Sequence, residues 1–265
     1  MTLLQELDKI YFFMKRDALS FSTYKTNILL SLLSAFFGAL SYAFLGANAQ
    51  MQSVLESYHI SFTTYLLIGL AFNTYLSQSL TLVQRTINPW SLEEVLVSPT
   101  GLVTFIVGSS LWGFIWSTLV IVIYLAVGVL AFGVVLSVNI IGTVLIVVLG
   151  IGTFIGFSMI GAGILILTKQ GDPVSTAITI ATNLFGNVLF PPQVMPAALQ
   201  AISYFVPQYY FFTTIREVLT GSTLMAILPD LLVLVFMCVI ILPLGYFVYS
   251  LCLKTSKKNG TLSWF

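Results

Sequence analysis

The side chains able to do chemistry are few and scattered. His59 is the only histidine, and it falls in a short connection rather than beside a serine that it could activate, so an intramembrane hydrolase is excluded. Cys238 and Cys252 stand 14 positions apart in one apolar run and read as buried thiols. No His, Cys or carboxylate group has the spacing of a metal site. A phosphate-binding G-x-x-x-x-G-K-[ST] loop is absent, so the chain does not hold ATP by that route. None of the long apolar stretches carries Asp, Glu, Lys or Arg at its middle, where proton- or sodium-driven carriers keep their coupling groups. Unwound carbonyls remain an alternative way to hold sodium. No catalytic residue, metal or cofactor is therefore expected in this chain, and active transport would draw its energy from another polypeptide.

Composition explains the sparseness. Of 265 residues, 58% are hydrophobic and 7% charged, with a mean hydropathy of +1.02. A soluble domain carries about 25% charged residues, whereas a chain embedded in lipid needs few. Soluble enzymes, nucleic-acid binders and disordered chains are excluded. The net charge of +1 suggests no polyanionic partner.

Charge-free runs predict an all-α integral membrane protein with six spans. A helix needs roughly 20 apolar residues to cross the hydrocarbon, and the expected spans are 28–48, 62–83, 102–131, 140–168, 173–190 and 229–252. The 74-residue run between Glu94 and Lys169 is split near Gly133 to Gly142, where Ser137 and Asn139 interrupt the aliphatic texture. With both termini cytoplasmic, nine of the ten Lys and Arg residues fall inside, and only Arg216 falls outside. Ala47-Asn48-Ala49 has the look of a signal-peptidase site, but the apolar stretch before it is too long for a signal peptide. Within 1–26, Leu3, Leu7, Ile10, Met14, Ala18 and Phe21 recur at helical spacing beside basic residues, which predicts a helix lying in the membrane interface.

Two segments depart from simple spans. The cytoplasmic connection 84–100 contains Ser91 as a helix cap, Glu93 and Glu94 in the first turn, an apolar side of Leu92, Val95 and Leu96, and Pro99 as a stop. It suits a docking knob for a partner protein; a plain surface turn fits the same composition. The segment 191–222 begins with Pro191, Pro192 and Pro196, yet stays apolar and aromatic. Two short helices re-entering the outer leaflet, hinged at Pro207, reconcile that texture with the sidedness.

These residues resemble the membrane (permease) subunit of an ABC-2 type ABC exporter, over the whole chain. The family pattern places a small residue in the fifth span, a proline break, a second proline, an aromatic and an arginine; here these are Gly186, Met195-Pro196, Pro207, Tyr210 and Arg216. The stretch from Leu92 to Pro99 resembles the coupling segment of drug-exporter-like members. Gln208, Phe185 and Thr182 depart from the usual pattern. The resemblance implies a separate ABC nucleotide-binding subunit, which would carry ATP and magnesium, and a second permease copy or paralogue. It implies docking of the ATPase subunit by Arg85, Leu92, Glu93, Glu94, Val95, Ser98 and Pro99 near Lys15 and Arg16. A translocation path at the dimer interface would draw on Asn73, Gln78, Asn183, Asn187 and Phe190, for which interhelical hydrogen bonding is the competing role. Gly152, Gly156 and Gly163 read as a helix-packing face. The expected function is outward movement of an amphiphilic, lipid-like or drug-like substrate across the cell membrane. A lipid-linked polysaccharide exporter is the alternative, followed by a stand-alone secondary carrier and a membrane scaffold.

Overall fold

The computed structural model describes residues 3–48, 60–86, 102–168 and 173–258, and every element in them is helical. In chain order these are α1 (Leu3–Thr23), α2 (Lys25–Asn48), α3 (Phe62–Thr86), α4 (Leu102–Phe132), α5 (Ile140–Thr168), α6 (Pro173–Phe185), a 3-10 turn (Pro192–Val194), α7 (Ala197–Ser203), α8 (Pro207–Leu219) and α9 (Leu228–Lys258). Residues 87–100 of the coupling segment and the connection holding His59 lie outside the described residues.

Among the described residues, four helices are long and apolar enough to cross a membrane: stretches Lys25–Gly46, Ser110–Phe132, Ile140–Leu167 and Leu228–Lys258. Two expected spans differ, each for a physical reason. Helix α3 matches 62–83 in position, but Thr63, Thr64, Asn73, Thr74, Ser77, Gln78 and Ser79 lower its hydropathy. It needs no lipid-compatible surface, because Tyr65, Leu66, Leu67, Ile68, Ala71, Phe72, Leu76 and Leu80 are buried within the bundle. The expected span 173–190 is helical only to Phe185. Its 13 residues reach about 20 Å at 1.5 Å per residue, short of the roughly 30 Å hydrocarbon core.

The core is built around α3 and α8. Ile68, Phe72, Tyr75 and Leu76 of α3 meet Phe211, Phe212, Ile215 and Val218 of α8, with Phe154 of α5 and Leu234 of α9 closing the cluster. The Phe211 ring stands edge-on to both Phe154 and Phe72, with centroids 5.0 and 6.4 Å away. Helix α2 lies at the periphery: Ala35, Ala39 and Ala43 are buried, while Leu29, Phe37, Phe44 and Leu45 are exposed.

Helix α1 packs beside the start of α4. Phe13 and Ile10 cover Gly108, and the Phe21 ring contacts Trp112 and Trp116 at 5.9 and 4.6 Å. It still exposes Leu7, Tyr11, Phe12 and Leu19. These are interleaved with the exposed Asp8 and Lys15, so the outward side of the helix is mixed while the side against protein is apolar.

Close approach of α5 and α9 depends on glycine. A Cβ at Gly245 would lie 2.2 Å from the Gly156 carbonyl oxygen, and one at Gly156 would lie 2.7 Å from that of Ile241. Gly152 faces Cys238, and Gly163 faces Tyr249 and Cys252. The small-residue face of α5 therefore packs helix on helix inside the chain. Gly245→Ala is expected to destabilise the protein by about 1–3 kcal/mol through overpacking, read as a lowered Tm in mild detergent; an unchanged Tm would contradict this crossing.

Candidate functional site

The short helix α6 ends in a deliberate break. Gly186 N–H still donates to the Thr182 carbonyl at 2.8 Å, but Asn187 has a φ of 62°. Asparagine tolerates this left-handed geometry better than most residues, and it stops the helix. The following prolines, Pro191 and Pro192, cannot donate the backbone bonds that would restart it at once. The break frees carbonyl oxygens in a buried setting, where an unsatisfied acceptor costs about 1–3 kcal/mol.

Arg216, on α8, satisfies them. Its side chain is 3% exposed. Nη1 donates to the Asn187 carbonyl at 2.5 Å and to the Phe212 carbonyl at 3.2 Å. Nη2 donates to Val188 at 2.9 Å, and Nε to Tyr65 at 3.1 Å. The guanidinium carbon also sits 3.7 Å from the centroid of the Tyr65 ring, a cation–π contact at short range. One arginine thereby joins α3, the break and its own helix. A cation is favoured here for a further reason, since the carbonyl end of α6 carries the negative end of the helix dipole.

Asn187 is locked from both ends. Its Oδ1 accepts from the Tyr65 hydroxyl, and its Nδ2 donates to Thr213 Oγ1 at 2.9 Å. Gly69 makes room for the assembly: a Cβ there would lie 2.3 Å from Arg216 Nη2 and 2.4 Å from the Val188 oxygen. A cavity of about 20 Å³, lined by Ile60, Asn187, Thr213, Arg216, Glu217 and Thr220, adjoins the clasp; that is room for one water.

The ends of α8 are also fixed. Pro207 occupies the first turn, and Tyr210 donates its hydroxyl to the Tyr204 carbonyl at 2.9 Å. At the other end Ser137 N–H donates to the Leu219 carbonyl at 2.9 Å. This ties α8 to the connection between α4 and α5.

The five family-motif positions mark this region. Gly186 is the first residue past α6, Pro196 caps α7, and Pro207, Tyr210 and Arg216 belong to α8. A Cβ at Gly186 would meet the Thr182 oxygen at 2.5 Å and Gln208 Cβ at 3.1 Å. Two of the residues that depart from the family pattern, Thr182 and Gln208, thus converge on it. Thr182 Oγ1 and Gln208 Oε1 are buried with no hydrogen-bond partner among the described residues.

The path candidates do not form one group. Asn187 is held within the clasp, while Gln78 lines a different cavity beside α1. Asn73 is partly buried on α3, with Oδ1 lacking a described partner. Asn183 and Phe190, both partly buried, flank the break. Among the docking candidates, Lys15 and Arg16 are exposed on α1, and Arg85 falls in the last turn of α3; Leu92, Glu93, Glu94, Val95, Ser98 and Pro99 lie outside the described residues. Sequence reasoning missed Tyr65, Gly69 and Thr213. The one available signal was Arg216 itself, a lone cation in an apolar stretch that must find polar company.

The ABC-2 type transporter family model matches residues 9–220, from α1 through the clasp to the cap of α8. The chain belongs to the ABC-2 type transporter family. Comparison with curated proteins gives no significant match. This ABC-2 protein is therefore the permease component of an ABC exporter, a multi-pass membrane protein whose family pairs with an ABC nucleotide-binding subunit. The permease is not itself a catalyst.

Arg216→Ala would leave the Val188 carbonyl without its donor and the Asn187 carbonyl with only the Tyr65 hydroxyl, and is expected to cost about 3 kcal/mol or more. Arg216→Lys keeps the charge but loses the planar fork, so its loss should be intermediate. Thermal unfolding in detergent orders the three proteins; a lysine variant as stable as the parent would contradict the clasp.

Proposed function

We propose that this permease is half of an ATP-driven exporter, pairing with a second copy or a similar chain, with each half docked to one separate nucleotide-binding subunit. In this reading the chain makes six spans with both termini cytoplasmic: the four apolar helices, α3 as a polar span shielded by its neighbours, and α6 as a half-span completed by the short helices α7 and α8 at the outer end. ATP and magnesium belong to the partner subunit. The segment 84–100, with Leu92, Glu93, Glu94, Val95, Ser98 and Pro99, is the docking element, flanked by Arg85, Lys15 and Arg16.

The observation that carries the proposal is the broken α6 clasped to α3 and α8. A helix that stops at Phe185 and is pinned by one arginine moves with its neighbours as a body. Closure of the ATPase pair, transmitted through the docking element at the end of α3, would shift that body and open a route beside it. Asn73, Asn183 and Phe190 are the side chains we place on that route, with Gln78 nearer its inner end; Asn187 we assign to the clasp. So apolar a chain suits a lipid-like or drug-like amphiphile, moved outward across the cell membrane.

Isolating the full chain from its native membrane in mild detergent tests the proposal. An ATPase is expected at equal stoichiometry, and the paired substitutions Glu93→Ala and Glu94→Ala should abolish its retention or its coupling to export. A chain that purifies without any ATPase would contradict the proposal and favour a secondary carrier.

A further inference from the structure

A second cavity, of about 250 Å³, lies between α1, α3 and α4 and is lined by Asp17, Ser20, Phe21, Tyr24, Gln78, Trp112 and Gly113. Its volume is below that of most drug-sized pockets and suits a headgroup rather than a whole amphiphile. Three of its lining residues are aromatic, and one is a carboxylate. Rings facing a common space bind ammonium groups through their negative faces, the more so when an anion stands beside them.

The charges are arranged in a pair. Asp17 Oδ1 accepts from Arg16 Nε at 2.9 Å and lies 2.9 Å from Nη2; both contacts fall on the same oxygen. The Arg16 side chain is 53% exposed and that of Asp17 26%, so the carboxylate lies deeper and the guanidinium nearer the surroundings. Arg16 is steadied by the Phe13 ring, 5.2 Å below it. The Trp112 indole N–H is buried with no acceptor among the described residues, while the exposed Ser20 and Tyr24 keep the cavity open. The amphipathic helix α1 exposes Leu7, Tyr11, Phe12 and Leu19 among the charged Asp8 and Lys15, a mixed surface suited to headgroup depth, where acyl chains and polar groups meet.

We propose that this cavity binds the headgroup of an ammonium-bearing phospholipid, with the ammonium against Asp17 and the rings of Phe21, Tyr24 and Trp112, and the phosphate against Arg16. Each charge of the zwitterion meets its opposite, and the acyl chains follow the exposed apolar side chains of α1. The site shares Arg16 with the docking surface and Gln78 with the route proposed above, but its test needs neither transport nor an ATPase, so its failure is distinguishable from that of the exporter reading.

The test uses the full chain in alkyl-glycoside micelles with two short-chain lipids of identical tails, a phosphatidylcholine and a phosphatidylglycerol. They share the phosphate and differ in the ammonium. Binding is counted by native mass spectrometry and followed by tryptophan emission. The choline lipid should bind on the order of tenfold more tightly. Asp17→Asn should erase that preference, Asp17→Glu should keep it, and Tyr24→Leu should weaken choline binding severalfold without affecting the glycerol lipid. Equal binding of the two lipids by the parent chain would overturn the proposal. So would a preference that survives both Asp17→Asn and Tyr24→Leu; the latter, at an exposed position, keeps the test decisive should the former impair folding.

Discussion

Backbone carbonyls released inside an apolar bundle must be met by protein, and Arg216 meets those released at the end of α6. The rest of the architecture follows from that need. A helix interrupted at mid-depth is tolerated only where neighbours supply the lost hydrogen bonds. Three groups on one planar guanidinium reach four carbonyls here, on α3, α8 and both residues of the break. Lysine has the charge but not the geometry to do so.

The packing around α8 is a consequence. To deliver Arg216 to the break, α8 runs through the interior, and Phe211, Phe212, Thr214, Ile215 and Val218 are all buried. Helix α3 must then present backbone, a tyrosine hydroxyl and a glycine to the same point. That explains a helix so polar by composition yet so thoroughly enclosed. The α5–α9 pair is a separate matter of steric fit, in which glycines let two apolar helices touch backbone to backbone.

The legibility of these features in the sequence divides along physical lines. Helices α2, α4, α5 and α9 could be read from uninterrupted apolar runs, since their surfaces face lipid and composition reports that contact directly. The fifth expected span extends to residue 190 because the prolines beyond it are the visible stop signal; the true stop is the left-handed Asn187, whose conformation no apolar pattern reveals. Arg216 and the motif prolines were visible through the family resemblance. Their partners were not: Tyr65 and Arg216 are 151 positions apart, and nothing local in either segment announces the other. The path candidates were chosen as polar residues on apolar helices, and polarity alone does not separate a residue lining a route from one, such as Asn187, that holds a turn.

In the exporter proposed here, motion made in a separate ATPase has to be transmitted through the permease, which favours bodies that move intact. The clasp makes such a body from the end of α6, the second half of α8 and the start of α3. Hydrogen exchange across the full chain, compared between the parent and Arg216→Lys, tests this most directly. The account predicts that amides near 186–190 and along α8 are protected together in the parent and lose protection together in the variant, while α5 and α9 around Gly156 and Gly245 do not change. Undiminished protection at 186–190 in the lysine variant would contradict it.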